Sequence, residues 1–145
     1  MTTLWTIGYQ RLSPDSLAAE LEAAGVRRVL DVRLRPHSRK AGMSKTRLAA
    51  KLAEHGIAYE HRRELGTPLE IRGLFRAGRT AEAAPAYRAH IEATAAETLD
   101  ALAAELAPGP ATALLCLEED PAGCHRRVVA EALADRRPGL DVVDL

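Results

Sequence analysis

The chain has 145 residues, 47% of them hydrophobic and 28% charged, with 20 basic and 20 acidic side chains. That length and balance fit one globular α/β domain across residues 1–145, with enough chain for a sizeable core. They exclude a membrane span, because no apolar run approaches the roughly 18 residues required. Only five residues are Phe, Trp or Tyr, so alanine and aliphatic side chains must fill the interior. The first residues carry neither a basic n-region nor an apolar signal core, so a soluble, cytoplasmic protein is expected. In that compartment Cys116 and Cys124 are expected as free thiols, with a disulfide between them reserved for oxidising conditions.

Thr2 to Ile7 reads as a first strand, punctuated by Gly8. Ser13-Pro14-Asp15 starts a helix, with Ser as N-cap and Pro at the first helical position, and Gly25 ends it. Val26 to Val32 is a second strand, followed by a basic loop. Ser44 caps a second helix whose Leu48, Leu52 and His55 share a face, and Ile57 to His61 is a short third strand. Residues 62–80 resist assignment, because Gly66, Pro68, Gly73 and Gly78 interrupt any period, although Leu69 to Phe75 has room for a helical turn. One long helix is expected over residues 84–107, with Tyr87, Ile91, Ala95, Leu99, Leu102 and Leu106 as its buried stripe and Pro85 in its first turn. Pro108-Gly109-Pro110 stops it. A fourth strand over residues 111–116, a helix from Gly123 to Arg136 and a last strand from Leu140 complete the chain. Such alternation implies right-handed crossovers: a Rossmann-like three-layer α/β/α fold with a mainly parallel sheet of about five strands.

In a parallel sheet, the segments that leave the strands share one edge, and ligands bind there. Tyr9 follows the first strand; Asp31, Arg33 and Arg39 follow the second; Glu64-Leu-Gly66 follows the third; Cys116, Glu118, Cys124, His125 and Arg126 follow the fourth. The opposite edge holds only turn residues, Gly25, Gly56 and Pro108-Gly109-Pro110. The charge is divided as well. Residues 27–79 carry 14 Lys or Arg against 5 acids, whereas residues 81–135 carry 3 against 10. Residues 33–47 hold six cations and no acid. Two readings stay open: an anionic partner, phosphate or nucleic acid, or a solvated loop whose arginines pair with the acidic second half.

The pattern Thr6-Ile-Gly-Tyr9, Asp31-Val-Arg33 with Ser38-Arg39, Glu64-Leu-Gly66, and Leu115-Cys-x-Glu118-x-x-Pro121-x-x-Cys124-His-Arg126 resembles the domain-of-unknown-function 488 family. The resemblance implies a small α/β protein without an established activity, and marks Asp31, Arg33, Cys116, Glu118, Cys124, His125 and Arg126 as its motif positions. Ala41-Gly-Met-Ser44 departs from the proline and aromatic residue that it leads one to expect there.

Each candidate has a chemical role and a plain alternative. Cys124, near a helix N-terminus and two cations, suits a nucleophilic thiolate, or else packs the helix on the sheet. Cys116, inside an apolar run, reads as core. His125 suits a general acid or base, and Glu118 would orient it. Arg33, Arg39 and Arg126 suit anion binding, while Asp31 pairs with an arginine or holds a ribose hydroxyl. Cys124 and Arg126 stand too close together for a phosphatase-type loop. Cys116, Cys124 and His125 offer three zinc-type ligands, but at an unusual spacing, so no metal is expected. No P-loop and no Gly-x-Gly-x-x-Gly is present, so no nucleotide cofactor is expected either. The expectation is a small enzyme with catalytic Cys124, His125 and Glu118 and substrate-binding Arg33, Arg39, Arg126, Asp31 and Tyr9. Its partner would be an anionic small molecule or nucleic acid. The rival expectation is a non-catalytic nucleic-acid-binding module using loop 33–47.

Overall fold

Short apolar strands separated by amphipathic helices have one way to bury both kinds of surface, as a sheet between two helical layers. The computed structural model describes residues 2–145 and has that form. Its strands are β1 (Thr2–Gly8), β2 (Arg28–Asp31), β3 (Ala58–His61), β4 (Thr112–Cys116) and β5 (Leu140–Asp144). Its helices are α1 (Pro14–Ala23), α2 (Lys45–Glu54), α3 (Leu69–Arg76), α4 (Thr80–Thr94), α5 (Ala96–Glu105) and α6 (His125–Arg136). All strand pairs are parallel, in the order β3-β2-β4-β1-β5, giving a Rossmann-like three-layer fold. No helix among the described residues is long and apolar enough to cross a membrane.

The strand order explains the layers. From β1 to β2 and on to β3 the chain moves toward one edge, whereas from β3 to β4 and on to β5 it moves toward the other. Crossovers of one hand must then lie on opposite faces for the two directions. Leu17 and Leu21 of α1 and Leu48 and Leu52 of α2 pack on one face with Val29 and Leu115. Tyr87, Ile91, Leu99, Leu102, Val129 and Leu133, from α4 to α6, pack on the other with Leu4, Leu30 and Leu114. Each fully buried leucine contributes about 2–3 kcal/mol to this core. The chain leaving β1 and β2 turns to one face and the chain leaving β4 to the other, which opens a crevice at their carboxyl ends.

Local signals account for most boundaries. Ser13 and Ser16 form the capping box of α1, with Pro14 at its first position. Ser44 sits at the N-cap of α2, but its hydroxyl accepts from the Ser38 amide at 3.0 Å and so ties down the basic loop, not the helix. The expected single helix over residues 84–107 is two helices. Ala95, at φ −133° and ψ 20°, breaks it, and Thr94 Oγ1 turns back to the His90 carbonyl at 2.9 Å. The buried stripe survives the break, since Ala95, Leu99 and Leu102 all remain in the core. Helix α4 also begins four residues early, which puts Pro85 inside it.

Candidate functional site

Three close approaches of backbone shape the crevice. The amide of Tyr9 donates to the Cys116 carbonyl at 3.1 Å, which carries the β1–β4 pairing past the end of the sheet. Gly8 permits this: a Cβ there would stand 1.7 Å from the Glu118 carbonyl oxygen. A Cβ on Gly66 would stand 2.4 Å from Leu34 Cα, so the segment after β3 also lies directly against the basic loop.

Around these contacts is a cleft of about 600 Å³. Tyr9 and Gln10 reach it from β1, Arg33 to Arg35 and His37 to Lys40 from β2, and Cys116 to Glu118 with Gly123 to His125 from β4. Thr67, Arg72, Phe75 and Arg76 close the remaining side. Six cationic side chains line it, Arg33, Arg35, Arg39, Lys40, Arg72 and Arg76, against one carboxylate, Glu118. Of these, Arg35, Arg39, Arg72 and Arg76 make no ion pair and donate no side-chain hydrogen bond to any described residue. Thr67 is 3% exposed, and its hydroxyl finds no hydrogen-bond partner among the described residues.

Arg33 is held differently. Its Nε and Nη2 donate to the two oxygens of Asp31 at 2.9 and 2.7 Å, and its Nη1 donates to Met43 O at 2.8 Å and Tyr9 Oη at 3.2 Å. Its guanidinium also lies over the Tyr9 ring, 5.2 Å from the centroid. Burial alone would lower the Arg33 pKa, but the hydrogen bonds and charge of Asp31 raise it above the ordinary range. Asp31 is fully buried and also accepts from the Tyr59 hydroxyl. Burial, then the Asp31 contact, push that phenol up. Arg33, Asp31 and Tyr9 therefore form a fixed wall in which the buried Asp31 carboxylate balances the guanidinium charge, and Asp31 does not line the cleft.

The β4–α6 segment carries both cysteines, Glu118, His125 and Arg126. Cys116 ends β4, Asp120 Oδ1 accepts from the Ala122 amide to start a single 3-10 turn, and Cys124 is the N-cap of α6. Cys116 and Cys124 are joined as a disulfide, which corrects the expectation of free thiols. The strand end and the helix cap face one another across the crevice, a proximity that eight positions of sequence separation do not reveal. His125 Nε2 lies 2.7 Å from the Val32 carbonyl, and its Nδ1 lies 3.7 Å from Cys124 Sγ. A carbonyl only accepts, so Nε2 carries the hydrogen and neutral His125 presents a bare Nδ1 toward the sulfurs. Burial pushes the imidazole down to about 4, helped by the charges of Arg126 and Arg72 and opposed by the Val32 bond. The ring packs edge-on against Tyr87 at 5.4 Å.

Glu118 does not reach His125; its Oε2 lies 3.6 Å from Cys116 Sγ. The Val32 carbonyl, and not Glu118 as expected, orients the ring. Arg126 is fully buried beneath the cleft and does not line it. It donates to Cys116 Sγ at 3.3 Å and to the carbonyls of Glu118 and Glu119, so it braces the loop from below. Arg39, Arg33, Tyr9, Glu118, Cys124 and His125 all lie around the cleft. Arg72, Arg76 and Thr67 were not among the expected site residues. Arg72 and Arg76 are one helical turn apart, with Phe75 between them on the core side, and that i,i+4 spacing was the available signal.

A parallel sheet between two helical layers, with an arginine-lined cleft at its carboxyl edge and a Cys-x-Glu…Cys-His segment on the floor, defines the class. The chain belongs to the family described as domain of unknown function DUF488, whose sequence profile matches residues 13–133. No curated protein and no solved structure matches it.

Proposed function

We propose that the chain is a small enzyme acting on a phosphate-bearing substrate, a nucleotide or nucleic acid. One observation carries the reading: four arginines without ion-pair partners among the described residues face one cleft that holds a single carboxylate. The acidic second half of this chain pairs elsewhere. Arg88 and Arg136, for example, take Glu92, Asp100 and Asp135. Arginines left unpaired around a concave surface suit the oxygens of a phosphate, which they bind two at a time. Arg39, Arg35, Arg72 and Arg76 hold the anion, and Arg33, paired with Asp31, forms a fixed wall beside them. His125 and, once the Cys116–Cys124 bond is reduced, Cys124 supply the reactive groups on the floor, and Glu118, beside Cys116, is the one acid lining the cleft.

A second recess supports the alternative, a non-catalytic nucleic-acid-binding module. It measures about 310 Å³, lies at the start of α2, and is lined by Lys45 and Arg47 together with His37, Ser38 and Lys40, which it shares with the main cleft. A continuous cationic track of this kind suits consecutive phosphates of one strand.

Calorimetric titration with inorganic phosphate, mononucleotides and a short single-stranded oligonucleotide tests both readings. Binding of the small anions, weakened about tenfold by Arg39→Ala or Arg72→Ala with unchanged melting, is the expected result. Binding of the oligonucleotide alone, steeply salt-dependent and indifferent to Cys124→Ser, would select the module. Absence of any anion binding at low salt sinks both.

A further inference from the structure

The floor of the cleft has a donor set that the anion reading leaves unused. Cys116 Sγ, Cys124 Sγ and one His125 nitrogen lie within 4.8 Å of one another. Two features favour an ion between them. The Cα atoms of the cysteines are 7.5 Å apart. Disulfides usually hold them at roughly 4.4–6.8 Å, whereas two thiolates on one tetrahedral ion stand about 3.8 Å apart, with metal–sulfur bonds of about 2.3 Å. The backbone spacing therefore leaves room for an ion. The second feature is the Val32 carbonyl, which takes the Nε2 hydrogen of His125 and points the Nδ1 lone pair at the sulfurs. A backbone acceptor on the far nitrogen is how proteins fix the tautomer and orientation of a metal-ligating histidine.

We propose that, in the reduced chain, Cys116, Cys124 and His125 Nδ1 bind one zinc-type divalent cation whose fourth position opens into the arginine-lined cleft. Three protein ligands with one open position is the arrangement of a catalytic rather than a structural zinc site. The chemistry balances in two steps. A dithiol donor reduces the Cys116–Cys124 bond, leaving as its own disulfide and yielding two cysteine thiols. Binding the cation to both sulfurs then releases those two protons. Arg126 Nη1, 3.3 Å from Cys116 Sγ, offsets part of the thiolate charge. The three ligands stand independently of the anion reading; only the direction of the open position rests on it.

The test uses the whole chain, reduced with excess dithiol, freed of reductant under nitrogen and titrated with cobalt(II). Two titratable thiols are expected, then one equivalent of cobalt, with thiolate-to-cobalt charge-transfer absorption and the intense visible bands of a four-coordinate ion. Zinc should displace the cobalt. Cys116→Ser and Cys124→Ser should each diminish the charge-transfer absorption. His125→Ala should weaken cobalt by more than the ~10–100-fold that loss of an outer-shell partner costs. Circular dichroism of each variant separates this loss from unfolding, and Cys116→Ala provides a second removal of a ligand without a polar replacement. Arg39→Ala should leave the cobalt spectrum intact. Inorganic phosphate should perturb the visible bands; a cobalt spectrum indifferent to phosphate would retain the three ligands and overturn the opening of the fourth position into the cleft. Cysteines that stay oxidised in excess dithiol, a reduced chain without charge-transfer absorption, or bands that survive both cysteine variants would overturn the proposal.

Discussion

His125 Nε2 donates to the Val32 carbonyl across 2.7 Å, tying the first residue of α6 to the first residue beyond β2. This bond and the edge-on contact with Tyr87 fix the imidazole from two sides. His125→Ala should therefore cost stability as well as function. Losing the hydrogen bond and the aromatic contact is worth about 2 kcal/mol. Urea denaturation reads it as a lowered midpoint with an unchanged slope; an unchanged midpoint would mean that the ring is not held this way.

Arg126 and Arg39 should separate cleanly. Arg126 is buried and satisfies two backbone carbonyls and a sulfur, so Arg126→Ala should destabilise the chain by roughly 3 kcal/mol or more. Any folded fraction should keep phosphate affinity within about twofold, because the side chain lies outside the cleft. Arg39→Ala should do the reverse. Thermal melting and phosphate titration on the two variants decide it, and a stable Arg126→Ala with lost affinity would refute the assignment.

Gly8→Ala should fail for a steric reason. The added Cβ would stand 1.7 Å from the Glu118 carbonyl oxygen, and backbone on both sides leaves nothing flexible to yield. A loss of roughly 3 kcal/mol or more is expected. Because the same contact shapes the floor of the cleft, phosphate binding should fall with it. Gly25→Ala offers the contrast: nothing crowds a Cβ there, and its cost comes only from a φ of +83°.

Glu92 should set part of the acid limb of stability. Hydrogen bonds from Arg136, and then from Arg88, hold its carboxyl at about 2 against an ordinary 4.5. A depressed folded value means that the pairing stabilises the fold above 4.5 and is lost as pH falls toward 2. Glu92→Gln should lower the melting temperature at neutral pH, and the gap to the parent chain should close as acid is added. Since the carboxylate is partly exposed, the gap should also narrow in salt. A gap constant with pH would show that the pairing adds nothing.

The sequence made the architecture legible because strand and helix periods, caps and breakers are local. Ser13-Pro14 announces α1, Pro108-Gly109-Pro110 separates α5 from β4, and the alternation implies the parallel sheet. Residues 62–80 were legible only in part: three glycines and a proline interrupt the pattern, and the helical turn allowed over Leu69 to Phe75 is α3, whose Arg72 and Arg76 complete the cleft. The break at Ala95 was hidden too, because the buried stripe runs through it and Ala95 itself is a good helix former.

By itself, the sequence determined which reactive groups exist and which chain segments carry them: a basic loop after β2 and a Cys-Glu-Cys-His-Arg segment after β4. Only the tertiary structure decided which way each side chain faces. It sent Arg126 under the floor and Arg72 into the cleft. It joined the two cysteines, and it gave the orientation of His125 to a carbonyl 93 positions away. A role of that kind belongs to a contact between elements remote in the chain. No local period or propensity encodes which of several nearby polar groups such a contact will select.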